Sequence, residues 1–176
     1  MKLKHIFAIL ALSMGTFTFV ACGDDEEVQP QEQDDNQGQT SETDKEVVGT
    51  YVGWTHLKTN FIDKNYDKDT LSLAVADKGS LTATFKNKTW GTATITGIKA
   101  NKAEADKGYT LQGGTGSFVM NNPRDNSTQE FSCTLDSATI SADKTQMTAY
   151  ITATMDVAGG HGDMHFTFQT GEMPTE

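Results

Sequence analysis

The chain has 176 residues and a formal net charge of −10, from 24 acidic and 14 basic side chains. This length allows one folded domain with a sizeable core, and a single arginine with no basic stripe argues against a nucleic-acid-binding surface. The acidity is uneven, because residues 23–46 hold ten acids and one base, whereas residues 47–176 hold 14 acids and 11 bases. The low isoelectric point therefore describes an N-terminal segment and says little about a partner for the domain.

Residues 1–21 have the three parts of a secretory signal: two early lysines, an apolar run over 6–12, and small residues before a cleavage point. The apolar stretch is too short and too interrupted to be a membrane span, which needs about 20 apolar residues. Val20-Ala21-Cys22 resembles a bacterial lipobox, in which the cysteine thiol is acylated and becomes the mature N-terminus. The sequence favours this lipidation at Cys22 over an ordinary cleaved signal followed by a free thiol.

Residues 22–46 are predicted to form a lipidated cysteine followed by a disordered, acidic tether. The segment is rich in Gln, Asp, Glu, Ser and Thr, and Val28 is its one bulky apolar side chain. The acidic run Asp24–Glu27 resembles the surface-export signal of lipoproteins in Bacteroidetes-type bacteria. We therefore expect a protein anchored in the outer membrane through Cys22 and facing the cell surface; a plain solvated linker is the alternative.

Residues 47–176 alternate between apolar and polar side chains, which indicates half-buried antiparallel strands. Turn sequences of the type Ala-Asp-Lys-Gly separate several of these runs. The pattern predicts eight or nine strands, near residues 47–57, 70–76, 80–87, 90–98, 109–113, 115–120, 129–140, 146–156 and 163–170. Short hairpins between neighbours favour an all-β, antiparallel up-and-down barrel, because a meander that does not close leaves two exposed edges.

A family resemblance rests on three stretches: the opening Val48–Gly53, the middle Trp90–Ile98 and the closing alternating strands. Together they resemble the calycin-like β-barrel lipoproteins of Bacteroidetes-type bacteria, over roughly residues 47–171. Gly49-Thr50-Tyr51 is similar to the Gly-x-Trp that opens lipocalin strands. The resemblance implies a small calycin-like (lipocalin-like) barrel of about eight strands and carries over no chemistry.

No residue set is typical of catalysis, so we expect a protein that is not an enzyme and needs no cofactor. The glycines of Gly113–Gly116 are not a phosphate loop, because no Gly-Lys-Ser/Thr follows; they fit a bend at a barrel corner better. Cys133 lies on an apolar strand face and is predicted to be a buried, inert thiol without a disulfide partner. A hydrolase built on paired carboxylates stays an alternative reading.

One segment has the spacing of a metal site. In a strand, His161, Asp163 and His165 project to one face, as two imidazoles and a carboxylate. Gly159 and Gly160 suggest that His161 belongs to a loop. The alternating apolar residues Met164, Phe166 and Phe168 are expected to face the core, which places the histidines on the opposite, solvated face. Solvated surface side chains are therefore the favoured interpretation.

Two tryptophans are the candidate ligand-binding residues. Trp54 shares a strand face with His56, opposite Tyr51, and an exposed tryptophan can stack on a sugar or a protein. Strict alternation sends Trp90 outward, whereas a bulge at Gly91 turns it inward as core, which is the commoner fate.

Three functional readings follow. The favoured one is a surface binding or accessory module that presents a glycan or peptide to an outer-membrane transporter, with an exposed tryptophan near a barrel end. The second is a carrier of a small apolar ligand inside the barrel, and the third is a hydrolase.

Two stretches resemble O-glycosylation acceptors of these bacteria: Asp69-Thr70-Leu71 and Asp136-Ser137-Ala138. Burial in a strand could hide either hydroxyl from the modifying enzyme.

Overall fold

The computed structural model describes residues 41–76, 79–104, 107–122, 127–157 and 160–175. In chain order the elements are α1 (Glu42–Glu46), β1 (Gly49–Lys58), β2 (Asp63–Val75), β3 (Leu81–Asn87), β4 (Gly91–Lys102), β5 (Tyr109–Gln112), β6 (Thr115–Asn121), β7 (Thr128–Ile140), β8 (Met147–Val157) and β9 (Gly160–Thr170). No helix in these ranges is long and apolar enough to cross a membrane.

The strands form a closed antiparallel barrel. β1 to β4 pair in sequence, β7 to β9 do likewise, and β1 pairs with β9 to close the sheet. β5 and β6 lie in line between β4 and β7, so these two strands together fill one of eight positions. The predicted up-and-down barrel is confirmed.

The break between β5 and β6 is made by two glycines. Gly113 and Gly114 have φ angles of 71° and 103°, in the left-handed region that favours glycine. A Cβ at Gly114 would lie 2.5 Å from the Cγ1 atom of Ile98. The chain bends here as the sequence predicts, and the bend lets one strand position be shared by two segments.

The prediction for β2 is wrong at its start. The sequence indicates a strand from residue 70, but β2 begins at Asp63 because residues 63–69 pair with the second half of β1. This stretch is charged and polar and shows no simple alternation. A bulge at Lys68, whose φ is 62°, shifts the register opposite Gly53 and Trp54 and breaks the period-2 pattern.

The barrel interior is filled by aromatic side chains. The ring centroids of Phe85 and Phe166 lie 5.5 Å apart, those of Phe118 and Phe166 5.2 Å, and those of Phe85 and Phe168 6.3 Å. All four rings are fully buried. Such packing stabilises the core and counts against the reading in which a small apolar ligand occupies an open central cavity.

The helix α1 closes one end of the barrel, which we call the capped end. The Asp44 carboxylate is fully buried, and its Oδ1 atom accepts a hydrogen bond from the backbone amide of Ala100 at 2.9 Å. The hydroxyl of Tyr109 donates to Glu46 at 2.7 Å, and the Lys102 ammonium lies 3.2 Å from the same carboxylate. The Tyr109 hydrogen bond and Lys102 lower the pKa of Glu46. The predicted disorder is therefore wrong for residues 42–46, because these contacts hold the helix on β4 and β5.

Candidate functional site

The opposite end of the barrel, the mouth end, carries the β1–β2, β3–β4, β6–β7 and β8–β9 connections. Six partly buried apolar side chains pack against the core, and all six lie at this end. We call them the apolar rim: Ile62, Tyr66, Trp90, Met120, Phe131 and Met155. The barrel is thus closed by α1 at one end and finishes in a half-exposed apolar surface at the other.

Three buried polar side chains lie beneath the rim and form what we call the polar floor: Thr55, Asp69 and Asn87. The Nδ2 atom of Asn87 donates to Asp69 at 2.7 Å. Burial raises the pKa of the Asp69 carboxyl, and this effect is partly offset by Asn87 and by the amide of Lys88. The Thr55 hydroxyl lies close enough to lower the same pKa, although it makes no hydrogen bond of standard geometry.

The polar floor also positions Trp90. The Oδ1 atom of Asn87 accepts hydrogen bonds from the backbone amides of Thr89 at 3.0 Å and Trp90 at 2.8 Å. Gly91 follows with a φ of 134°, and a Cβ there would lie 2.0 Å from the carbonyl oxygen of Val119. The tight turn and the glycine together direct the indole onto the core, so of the two orientations that the sequence allows, Trp90 takes the inward one.

Trp90 and Tyr66 form two perpendicular walls of the rim. Their ring centroids lie 6.4 Å apart with an interplanar angle of 89°, and the Lys64 ammonium lies 5.8 Å from the Tyr66 ring centroid. The Nε1 atom of Trp90 is buried and has no hydrogen-bond partner in the described part of the chain. A buried N–H without a partner costs about 1–3 kcal/mol.

Trp54 lies on a different surface. It is half-buried on the outer wall of β1, with exposed Val52 on one side and half-buried His56 on the other, and the buried Tyr51 lies on the opposite face. The alternation of the sequence predicts this arrangement. The two candidate tryptophans are therefore not brought together, and Trp90 alone lies at a barrel end.

A family model described as the calycin-like beta-barrel domain matches residues 37–171, about three quarters of the chain. The chain belongs to this calycin-like β-barrel family. No curated protein and no solved structure matches it. The family match begins before α1, so the helix at the capped end falls within the calycin-like domain.

The mouth of this calycin-like barrel combines an apolar wall with a buried polar layer beneath it. The N–H of Trp90 is buried without a partner, and the fully buried Thr55 hydroxyl lies against Asp69. Asp69 and Asn87 already bond each other and the adjacent turn, so their main effect is to hold the floor in place. This chemistry suits recognition of a ligand with an apolar surface and a few polar atoms.

Two of the three suggested metal residues lie on the outer wall of the calycin-like barrel. Asp163 and His165 are exposed, and Met164 between them is buried, as the alternation predicts. His161 is part of β9, so its predicted placement in a loop is wrong; its side chain lies outside the described residues. Within the described ranges, no group of three or more His, Cys, Asp or Glu side chains could hold a metal ion.

The described cysteine, Cys133, is free and buried in the core. Burial raises the pKa of its thiol to about 11, so little thiolate forms near neutral pH and the residue is inert. Cys22, the predicted lipidation site, lies outside the described residues.

The two stretches that resemble glycosylation acceptors differ in exposure. Asp69 is buried and Thr70 half-buried, whereas Asp136 and Ser137 are both exposed on the outer wall of β7. Modification at either stays a prediction, with Ser137 the more accessible hydroxyl.

Sequence reasoning missed Tyr66 and the polar floor. Asp69 reads as one of several acids in a polar stretch, and only the bulge at Lys68 turns its side chain inward. The available signal was the aromatic Tyr66 within an otherwise charged segment, because an isolated aromatic residue between two strands commonly packs on the core.

Asp69 predicts a pH effect on stability. Because burial raises its pKa, the folded protein holds this proton more tightly than the unfolded chain does. The stabilisation is fully present below the ordinary carboxyl pKa and is lost as the pH rises through the raised one. We expect the unfolding free energy of the native chain to fall relative to that of Asp69→Asn over this interval, measured by urea denaturation at several pH values. Asp163→Asn, the same change at an exposed position on β9, is the control; identical profiles for the native chain and Asp69→Asn contradict the prediction.

Proposed function

We propose that the chain is a lipid-anchored, cell-surface binding or accessory module that captures a glycan or peptide at its apolar rim. The observation that carries this proposal is the asymmetry of the barrel. One end is sealed by α1, and all six partly buried apolar side chains that pack on the core lie at the other. Half-exposed aromatic and methionine side chains at one end of a rigid fold are typical of a binding surface.

The entry point of the chain supports the same orientation. The segment that leads from Cys22 joins the barrel through α1, at the capped end. If Cys22 is acylated, its tether joins the barrel at the end opposite to the rim, which leaves the rim free to meet a ligand. This geometry suits a module that meets ligands outside the cell and passes them to a transporter.

The packed interior limits how a ligand binds. The buried phenylalanines of the core lie directly below the polar floor, so the rim is the outer surface of a filled barrel. A sugar edge or a peptide side chain can rest on the half-exposed rings of Trp90 and Tyr66. A ligand enclosed at the barrel centre fits this packing poorly.

The binding test uses the whole chain carrying Cys22→Ser, screened on glycan and peptide arrays. We expect binding that Trp90→Ala weakens at least tenfold, while Trp54→Ala, the same change on the outer wall, leaves the affinity within about twofold. Absence of binding on both arrays, together with an apolar molecule extracted from the purified protein, would support the carrier reading instead.

The anchor is tested separately. We expect labelled palmitate to be incorporated into the native chain in cells and not into the Cys22→Ser variant. External protease should digest the native protein on intact cells. A labelled but protease-resistant protein contradicts surface exposure and leaves the anchor in place.

A further inference from the structure

A polar cleft of about 320 Å³ lies on the outer wall near the mouth end, separate from the apolar rim. We call it the outer cleft; it is lined by Lys58, Thr59, Asn60, Asp163 and His165. Lys58 and His165 are direct cross-strand neighbours on β1 and β9. Each of these five described side chains is polar, and the set includes both charges, a hydroxyl, an amide and an imidazole.

The hydrogen bonds of Thr152 indicate which tautomer His165 adopts. Thr152 donates its only hydroxyl proton to the Asp136 carboxylate at 2.7 Å, and its oxygen lies 3.1 Å from the Nδ1 atom of His165. The oxygen can therefore only accept from His165, so Nδ1 carries a proton. In the tautomer with its proton on Nδ1, the Nε2 atom carries a lone pair that can accept a hydrogen bond.

A bulge in β7 allows Asp136 to accept the hydrogen bond from Thr152. The register shifts between Leu135 and Ser137, and Asp136 projects to the outer wall beside Thr134, which donates to it at 2.8 Å. The carboxylate thus holds Thr152, and Thr152 holds the imidazole. This chain of contacts positions His165 without using its Nε2 atom.

The other lining groups supply complementary hydrogen-bonding capacity. Across the described residues, neither Lys58 nor Asp163 has an ion-pair partner within 4.0 Å. The Thr59 oxygen accepts from the backbone amides of Phe61 and Ile62 at 3.0 and 2.9 Å, so its own proton is free to be donated. The cleft therefore offers donors and acceptors together.

An exposed aromatic residue directly follows the lining residues of the β1–β2 connection in sequence. Phe61 follows Asn60 at the tip of the β1–β2 connection, and 97% of its surface is exposed. The turn is ordered, because Thr59 also donates its backbone amide to the carbonyl of Ile62 at 2.8 Å. A fully exposed phenyl group on a rigid turn leaves apolar surface that a ligand can cover.

We infer that the outer cleft binds a neutral saccharide unit. A pyranose ring carries several hydroxyl groups that both donate and accept, which matches Asp163, His165 Nε2, Thr59 and Lys58. Its apolar face matches the exposed ring of Phe61. Lys58 and Asp163 bring opposite charges to the cleft, so a neutral polyhydroxylated ligand fits better than an anion or a cation.

The experiment follows backbone amide NMR shifts of the whole chain carrying Cys22→Ser during titration with methyl glycosides of glucose, galactose, mannose and N-acetylglucosamine. At least one glycoside should shift the amides of Asn60, Phe61 and His165 at millimolar concentration. Phe61→Ala and Asp163→Asn should each raise the Kd at least fivefold. Val119→Ala, an exposed apolar change on β6, is the matched control and should leave the Kd unchanged.

The outcomes separate this site from the rim. Shifts confined to Trp90 and Tyr66 overturn the outer cleft while supporting the proposed rim. Shifts at the outer cleft that persist in the Phe61→Ala and Asp163→Asn variants also overturn it, because the ligand then contacts other groups. Shifts confined to the outer cleft support saccharide binding there and count against glycan capture at the rim. If no glycoside causes a shift, the inference that the outer cleft binds a saccharide is overturned.

Discussion

We expect Phe166→Ala to lower the free energy of unfolding by about 3–5 kcal/mol, the usual range for a large-to-small change at a buried aromatic position. Phe166 is 1% exposed, and its ring contacts both Phe85 and Phe118 near the barrel axis. Removing the ring leaves a cavity lined by two aromatic faces, which neighbouring strands of a closed barrel cannot easily collapse to fill. Urea denaturation followed by circular dichroism measures the change.

Phe61→Ala is the matched comparison, because the same side chain is removed from a position that is 97% exposed. Its free energy of unfolding should stay within about 0.5 kcal/mol of the native value. Equal losses for the two variants would show that the aromatic cluster is not the centre of the core. If Phe166→Ala does not fold, Phe166→Leu, a smaller truncation, gives the same test with a lower expected cost.

The second large effect is expected at Gly91, where Gly91→Ala should cost about 2–5 kcal/mol from backbone strain and a steric clash together. Its φ of 134° is outside the range that alanine adopts readily, and a Cβ would lie 2.0 Å from the carbonyl oxygen of Val119. Relief requires β4 and β6 to separate at the mouth end. The same denaturation measurement applies, and the fluorescence of Trp90 should change because its turn moves.

Gly49→Ala provides the comparison for a glycine in a strand. No atom lies within 4 Å of the position of its Cβ, and its φ is not in the left-handed region. We expect a change of less than about 1 kcal/mol. A small effect at Gly91 would mean that the turn before β4 adapts, and that Trp90 is not held in place by this glycine.

Much of the fold follows from local chemistry that is visible in the sequence. Alternation places Leu71, Phe85, Cys133 and Phe168 on one face, and the structure buries all four. The segment before residue 70 could not be recognised in this way, because its strand exists only through pairing with β1. Helix α1 was also missed, since five residues show no periodicity and depend on contacts made far away in sequence, such as Asp44 with Ala100.

The candidate site was less predictable than the fold. Trp90 could be named from its residue type, but its direction depended on the conformation of Gly91. Asp69 could not be distinguished from the surface acids near it, because the bulge at Lys68 in β2 decides which way its side chain points. The outer cleft could not be predicted from the sequence, because it depends on Lys58 and His165 being neighbours across β1 and β9. Closure of the barrel sets this register, and no local pattern encodes it.

The attachment of α1 to the barrel wall has a mechanical consequence. Any tension in the chain before residue 41 reaches the contacts of Asp44 and Glu46 before it reaches β1. The five residues of α1 span about 8 Å as a helix and about 17 Å when extended. Unfolding this helix under tension would therefore lengthen the segment before β1 by roughly 9 Å while the hydrogen-bonded barrel stays intact. Helix α1 is therefore the part of the described domain that extends first under tension, before any strand of the barrel separates.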